Sequence, residues 1–123
     1  MQETVRALED QEVDKSCYLG LLSKAYLRTG EFELAAETVT QGLSQSNKIG
    51  EHYYTSELLR LRGEVELRRG ESDVAKASFR EAIAFARKQA ASSWEIKATE
   101  SLSRLLRSQG GSGKVRSVPR LDN

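Results

Sequence analysis

The chain has 123 residues, and its 19 lysine and arginine residues nearly balance 18 aspartate and glutamate residues, which gives a formal charge of +1. This length predicts one domain, and the charge balance argues against a strongly basic nucleic-acid-binding protein or a polybasic membrane binder. No apolar stretch approaches the ~20 residues that span a bilayer, and the polar start MQETVRALEDQE lacks the apolar segment of a signal peptide. We therefore expect a cytoplasmic protein with no nucleic-acid or membrane partner.

A repeated pattern organises the sequence. Gly30, Gly70 and Gly110 follow one another at equal intervals of 40 residues, and the first two stand in the similar segments LRTGE and LRRGE. Five residues after each of these two glycines comes an alanine, Ala35 or Ala75, and a large apolar residue follows four positions later. Self-similarity at a fixed period is typical of proteins built from helical repeats.

In chain order, the spacing of apolar residues predicts a short amphipathic helix over 2–12 and then two longer helices over 16–29 and 31–48. Gly30 separates the two longer helices, because glycine adopts the left-handed conformation of a helix end without steric cost. Together they form a first two-helix unit over 16–50.

The second half of the chain repeats this pattern. Helices are predicted over 51–69 and 72–90, separated by Gly70, and a last helix over 92–106 begins at a serine that can cap it. No segment alternates with the period of two that is typical of strands. The sequence therefore predicts an all-α domain of about six helices over 1–110, with units at 51–90 and 92–110 after the first. The glycine- and serine-rich residues 111–123 predict a flexible tail.

The positions of small and large residues in these helices predict that the units stack on one another. Alanine and glycine residues permit close approach of helix axes, and a two-helix unit buries its apolar stripes only by packing on its neighbours. We expect the interior to be filled by large side chains, namely Leu19, Leu22, Tyr26, Val39, Leu43, Leu59, Phe79, Ile83, Trp94, Leu102 and Leu106.

The pattern of small, large and hinge residues resembles the tetratricopeptide (TPR) repeat. The residues that carry the resemblance are Leu19, Leu22, Ser23, Tyr26, Gly30, Ala35, Val39 and Gly42 in the first unit, and Leu59, Gly63, Gly70, Ala75, Phe79 and Ala82 in the second. The resemblance implies a superhelix of antiparallel helix hairpins, in which the first helices of successive units line a concave groove.

Transferred to this sequence, the resemblance implies an amphipathic and mildly basic groove. Its expected residues are Leu21, Lys24, Leu27, Arg28, Arg60, Leu61, Glu64, Leu67, Arg68, Lys97, Arg104 and Arg107. Such a groove suits a protein or peptide with acidic and apolar side chains. The function that we expect is therefore that of a non-catalytic protein–protein interaction module.

A narrower resemblance supplies an alternative function. The segment over residues 16–110, and above all SWEIKATESLSRLLRSQG, is similar to the helical repeats at the C-terminal end of large bacterial signalling proteins that carry a nucleotide-cyclase or ATPase domain or a DNA-binding transcription regulator. It implies a regulatory fragment of such a cytoplasmic signalling protein.

The residues that carry chemistry in other proteins do not form a catalytic or metal-binding pattern here. Cys17 stands alone in an apolar run, and a lone cysteine usually packs as a small apolar residue. His52 has no second histidine or cysteine pair at the spacing of a zinc site. The segment Gly110–Lys114 lacks the glycine spacing and the Ser or Thr of a phosphate-binding loop. We expect no enzyme, cofactor or metal.

Two further expectations concern the last helices. Glu64 with Arg68, and Glu100 with Arg104, have the i,i+4 spacing of ion pairs on a helix surface. Because the last helix has no following partner in the repeat, we expect Ile96, Leu105 or Leu106 to remain partly uncovered and to support a homodimer.

Overall fold

The computed structural model describes residues 15–50 and 52–111, and within these ranges the protein is all-helical. Five helices follow one another: α1 (Lys15–Thr29), α2 (Phe32–Ile49), α3 (Thr55–Arg68), α4 (Ser72–Lys88) and α5 (Ser92–Gly111). They confirm the five helices predicted after residue 15. The helix predicted over 2–12 lies outside the described residues, as does the tail beyond Gly111.

The turns after α1 and α3 have the geometry that their glycines predict. Gly30 and Gly70 lie in the left-handed region, with φ of 82° and 81°. At the first turn the Gly30 N–H donates to the Leu27 carbonyl at 3.3 Å and the Glu31 N–H donates to the Tyr26 carbonyl at 2.8 Å. The bonds at Gly70 repeat this arrangement, which satisfies carbonyl groups left open by the helix end.

The end of α4 differs from the prediction. The helix stops at Lys88 rather than at residue 90, and Ala90 takes the left-handed position with φ of 55°. The Ala91 N–H donates to the Ala86 carbonyl at 2.8 Å, as in the two glycine turns. An alanine thus adopts a conformation that is costly for a residue with a Cβ atom. Two side-chain hydrogen bonds flank the turn: Arg87 Nε donates to Glu95 Oε2 at 2.7 Å, and Gln89 Nε2 donates to the His52 carbonyl at 2.9 Å.

The boundaries of α3 and α5 also differ from those predicted. Helix α3 begins at Thr55, after a turn in which the Thr55 N–H donates to the His52 carbonyl at 3.2 Å. This turn lets Tyr54 pack edge-on against Trp94, with ring centroids 5.3 Å apart. Helix α5 continues five residues beyond the predicted end at 106.

Hydrogen bonds between the helices establish how the helices are paired. The Ser16 and Ser46 hydroxyls lie 2.9 Å apart, and the Ser23 hydroxyl donates to the Ala35 carbonyl at 3.1 Å. Contacts therefore move backwards along α2 as they move forwards along α1, which makes the pair antiparallel. The bonds between α3 and α4 run in the same sense. Helices α4 and α5 are also antiparallel, because Arg87 bonds to Glu95 while Phe79 packs with Leu105.

The helices form two layers. Helix α3 contacts all four others, with α1 and α5 on either side of it, while the backbones of α2 and α4 do not approach each other closely. Glu57 reaches Lys97 and Glu64 reaches Arg104, seven residues further along both helices, so α3 and α5 run in the same direction. Helix α1 has this direction too, because Gly20 lies against Tyr54 and Lys24 reaches Glu57. These three helices make one layer, and α2 and α4 make the second.

The core lies between the two layers in three clusters. The first joins Leu27, Ala35, Val39, Leu61 and Val65, and the others centre on Leu59 with Ile83 and on Phe79 with Leu105. Close approach depends on small residues: a Cβ atom at Gly63 would come within 2.5 Å of the Phe79 ring. The prediction that Leu106 fills the interior is wrong, because its side chain is 41% exposed while that of Leu105 is 3% exposed.

Candidate partner-binding surface

Charged side chains gather on the side of α3 that faces away from α2 and α4, between the flanking helices α1 and α5. Glu57, Arg60 and Glu64 are spaced three and four residues apart, so they lie on one face of α3. Around them stand Lys24 from α1 and a group from α5. We call this set the charged cluster; its members are Lys24, Glu57, Arg60, Glu64, Lys97, Ser101 and Arg104.

A forked ion pair lies at the centre of the cluster. Arg60 donates from Nε to Glu57 Oε1 and from Nη2 to Glu57 Oε2, each at 2.8 Å. The Glu57 side chain is only 1% exposed. A bidentate pair of this kind combines charge with fixed geometry, which burial requires, since an unpaired buried carboxylate is costly.

The remaining Arg60 nitrogen connects α3 to α5. Nη1 lies 3.3 Å from Glu64 Oε2 and donates to the Ser101 hydroxyl at 3.2 Å. Ser101 in turn donates to Glu64 Oε2 at 3.0 Å, and Arg104 Nη2 lies 3.7 Å from the same oxygen. The charged cluster therefore joins neighbouring helices of one layer.

Two lysines, one from each flanking helix, approach the same oxygen of the Glu57 carboxylate. Lys97 Nζ lies 3.5 Å from Glu57 Oε2 and Lys24 Nζ lies 3.8 Å from the same oxygen. Lys97 also lies over the Trp94 ring, 6.0 Å from its centroid. One carboxylate thus holds cationic groups from three helices.

These contacts shift the acid–base behaviour of the cluster. Burial alone would raise the pKa of Glu57, but the hydrogen bonds and charge of Arg60, with the charges of Lys97 and Lys24, outweigh it and hold that pKa below its ordinary value. Burial and the nearby charge of Lys97 lower the pKa of Lys24. Beside the cluster, burial and the Glu57 charge raise the pKa of Tyr54.

The cluster carries more positive than negative charge at its surface. Four cations surround two carboxylates, which leaves an excess of two positive charges. The carboxylates are buried, whereas the side chains of Lys24, Lys97 and Arg104 are 33%, 44% and 57% exposed. We call these three residues the cationic face. A ligand that approaches this layer meets ammonium and guanidinium groups first, and the field there favours an anionic group.

The structure brings together some of the predicted groove residues and separates others. Lys24, Arg60, Glu64, Lys97 and Arg104 all belong to the charged cluster. Arg28, Arg68 and Arg107 are exposed along the same three helices, nearer the helix ends.

The apolar floor expected for the groove is mostly part of the core. Leu27 and Leu61 are buried in the first core cluster, and Leu67 packs against the Phe79 cluster. Of the four expected floor leucines, only Leu21 is exposed. Leu61 is buried because it packs against α2, the helix that precedes α3. Leu21 is the equivalent residue in the first unit, and within the described residues no helix precedes α1 to cover it.

The ion pair predicted for Glu64 is wrong. Its carboxylate pairs with Arg60 on its own helix and with Arg104 on α5, rather than with Arg68. The spacing of Glu57, Arg60 and Glu64 was a usable signal, because it places alternating charges on one face of the central helix. The spacing cannot show that two flanking helices bury this face.

Other expectations about chemistry can be compared with the described part of the chain. Within residues 15–50 and 52–111 there is no group of three or more histidine, cysteine, aspartate or glutamate side chains placed to hold a metal ion. None of the five helices is long and apolar enough to cross a membrane. His52 lies at the start of α3, with Nδ1 3.2 Å from the Thr55 hydroxyl.

Comparison with models of protein families, with curated proteins and with solved structures gives no match to this chain. The charged cluster and its surroundings are therefore the features that indicate a function.

Proposed function

We propose that the protein is a TPR-like protein–protein interaction module that binds an acidic segment of a partner at the cationic face. The observation that carries this proposal is the arrangement of charge in the α1, α3 and α5 layer: buried carboxylates hold Lys24, Lys97 and Arg104 in place, and the positive excess is exposed. Pre-positioned side chains lose less conformational freedom on binding than free ones.

The chemistry of the surface indicates the kind of partner. Lysine and arginine donors in fixed positions suit carboxylate groups. Leu21 on α1 and the edge of Trp94 beside Lys97 offer limited apolar contact. We therefore expect a peptide in which acidic residues dominate and apolar residues are few, bound with an affinity that decreases as salt increases.

A binding experiment tests the proposal. The probe is a fluorescein-labelled peptide of glutamate and leucine residues, measured by fluorescence anisotropy, with a lysine–leucine peptide of the same pattern as a second probe. We expect the acidic peptide to bind and the basic peptide not to bind. The double variant Lys97→Gln/Arg104→Gln should weaken binding of the acidic peptide about tenfold, a loss of about 1.4 kcal/mol.

A matched control separates the cationic face from net charge. Arg80→Gln/Lys88→Gln removes the same charge from exposed positions on α4, in the other layer. We expect this control to bind the acidic peptide within about twofold of the unchanged protein. Equal weakening by the two double variants would refute the assignment of the binding site to the cationic face.

A further inference from the structure

Two lysines of the cationic face converge on a single atom. Lys24 comes from α1 and Lys97 from α5, and their Nζ atoms lie 3.8 and 3.5 Å from the same oxygen of Glu57. We call these two residues the lysine pair. Because both ammonium groups reach one atom, they are close enough for a single bound group to contact both.

The lysine pair keeps hydrogen-bond donors for a further anion. Within residues 15–50 and 52–111, neither lysine forms an ion pair other than that with Glu57. The Glu57 side chain is 1% exposed, and two short hydrogen bonds from Arg60 already reach its oxygens. Each ammonium group has three N–H donors. An anion that approaches from solvent therefore meets lysine donors and not the buried carboxylate.

The charge of the cluster matches a dianion better than a single carboxylate. Arg60 offsets the charge of Glu57, and Arg104 offsets that of Glu64, so the excess of two positive charges corresponds to the lysine pair. A carboxylate carries one negative charge, whereas a phosphate monoester carries about −1.5 to −2 at pH 7 and presents three acceptor oxygens. One phosphate group can therefore offset the whole excess and accept hydrogen bonds from both lysines.

Repulsion within the lysine pair also favours a dianion. Burial lowers the pKa of Lys24, and the charge of Lys97 lowers it further, as expected for like charges that are held close together. A group with two negative charges between the ammonium groups offsets this repulsion about twice as strongly as a group with one.

We propose that the lysine pair binds the phosphate of a phosphorylated serine or threonine in the acidic segment, an inference that rests on the function proposed above. The short side chains of these residues suit the site, because Lys24 and Lys97 are partly exposed at the surface of the layer. Clustered cations are a recurring means of recognising phosphorylated segments. Binding of the partner then depends on its phosphorylation state, with Arg104 left for a carboxylate elsewhere in the segment.

Fluorescence anisotropy with the full chain and two matched peptides tests the inference. Both peptides have the same sequence of glutamate, serine and leucine residues except at one central position, which is phosphoserine in the first and glutamate in the second. Both are measured at the same ionic strength. We expect the phosphopeptide to bind at least about fivefold more tightly, which corresponds to one further unit charge about 4 Å from a cation in a water-like dielectric. A smaller ratio overturns the inference.

Single variants locate the bound phosphate. Lys24→Gln and Lys97→Gln each remove one cation of the pair and should lower the ratio of the two affinities to about half or less. The matched control Arg104→Gln removes a cation of the same face outside the pair and should weaken both peptides alike. An equal decrease of the ratio in the control overturns the assignment to the lysine pair. Thermal unfolding monitors the fold of the three variants, in which Glu57 and Glu64 keep Arg60 as a partner.

The outcomes separate this inference from the function on which it rests. If the two peptides bind equally and Lys97→Gln/Arg104→Gln weakens both, the acidic-segment function stands and the phosphate assignment is wrong. If neither peptide binds, both are wrong. Inorganic phosphate is a third probe: at the concentration of the phosphopeptide it should leave that peptide bound, because the rest of the segment adds contacts. Displacement at equal concentration would mean that the site takes the free anion, which overturns the inference.

Discussion

Replacement of Glu57 by glutamine should destabilise the fold strongly. The substitution keeps the size of the side chain but removes the negative charge that pairs with Arg60 at 2.8 Å and with Lys97 and Lys24 at 3.5 and 3.8 Å. Three cations then face each other with only Glu64 to balance them, and the Arg60 guanidinium remains almost fully buried. Breaking a buried pair on one side leaves an uncompensated charge and costs about 3–5 kcal/mol.

Thermal unfolding followed by circular dichroism measures this loss. For a domain of this size 1 kcal/mol corresponds to about 4–8 °C, so the expected decrease in melting temperature is at least about 12 °C. The control is Glu81→Gln, which removes the same charge from an ion pair of 2.6 Å with Arg62 in which Glu81 is largely exposed. An exposed pair contributes about 0–1 kcal/mol. If the two variants melt within about 2 °C of each other, burial does not increase the contribution of the Glu57 charge to stability, and the reasoning is refuted.

Acid pH should reproduce part of the effect. Because Arg60 and the two lysines hold the folded-state pKa of Glu57 below its ordinary value of 4.5, the unfolded chain takes up this proton first as the pH falls. The stability that Glu57 contributes is complete above about pH 4.5 and is lost as the pH falls through the folded-state pKa. Urea unfolding between pH 7 and pH 3 should therefore show a flatter dependence for Glu57→Gln than for the unchanged protein, and parallel curves would contradict the lowered pKa.

Three further predictions use the same unfolding measurements. Gly70→Ala should destabilise the protein by about 1 kcal/mol and Ala90→Gly should stabilise it by a similar amount, because both positions have positive φ. If both variants change the stability in the same direction, the backbone conformation does not determine these effects. Gly63→Ala should cost about 1–3 kcal/mol, since its Cβ atom would collide with a phenyl ring on α4, and a neutral result would mean that the two helices separate freely. Leu105→Ala should cost about 2–5 kcal/mol, whereas Leu106→Ala, measured at low protein concentration, should stay within about 0.5 kcal/mol; equal losses would contradict the burial of one and the exposure of the other.

The sequence by itself determined the helices and their pairing. Glycine at positions 30 and 70, followed five residues later by Ala35 and Ala75, predicts two hairpins of the same construction, and the structure has them. These features are local: a residue without a side chain permits a left-handed turn, and a small residue permits two adjacent helices to approach. Both can be read from residue type and spacing within about one turn of the chain.

Tertiary structure decided which charges and leucines are buried. Within α3, Arg60 and Leu61 were both expected to line a groove, yet both are buried, as is Glu57, because α3 is the central helix and contacts all four others. The periodicity of a helix shows which residues share a face but not how many helices pack against it. Likewise the left-handed turn at Ala90 has no glycine to mark it in the sequence. Burial depends on contacts between residues far apart in the chain, and these contacts also set the pKa of Glu57 and hold the cationic face in place.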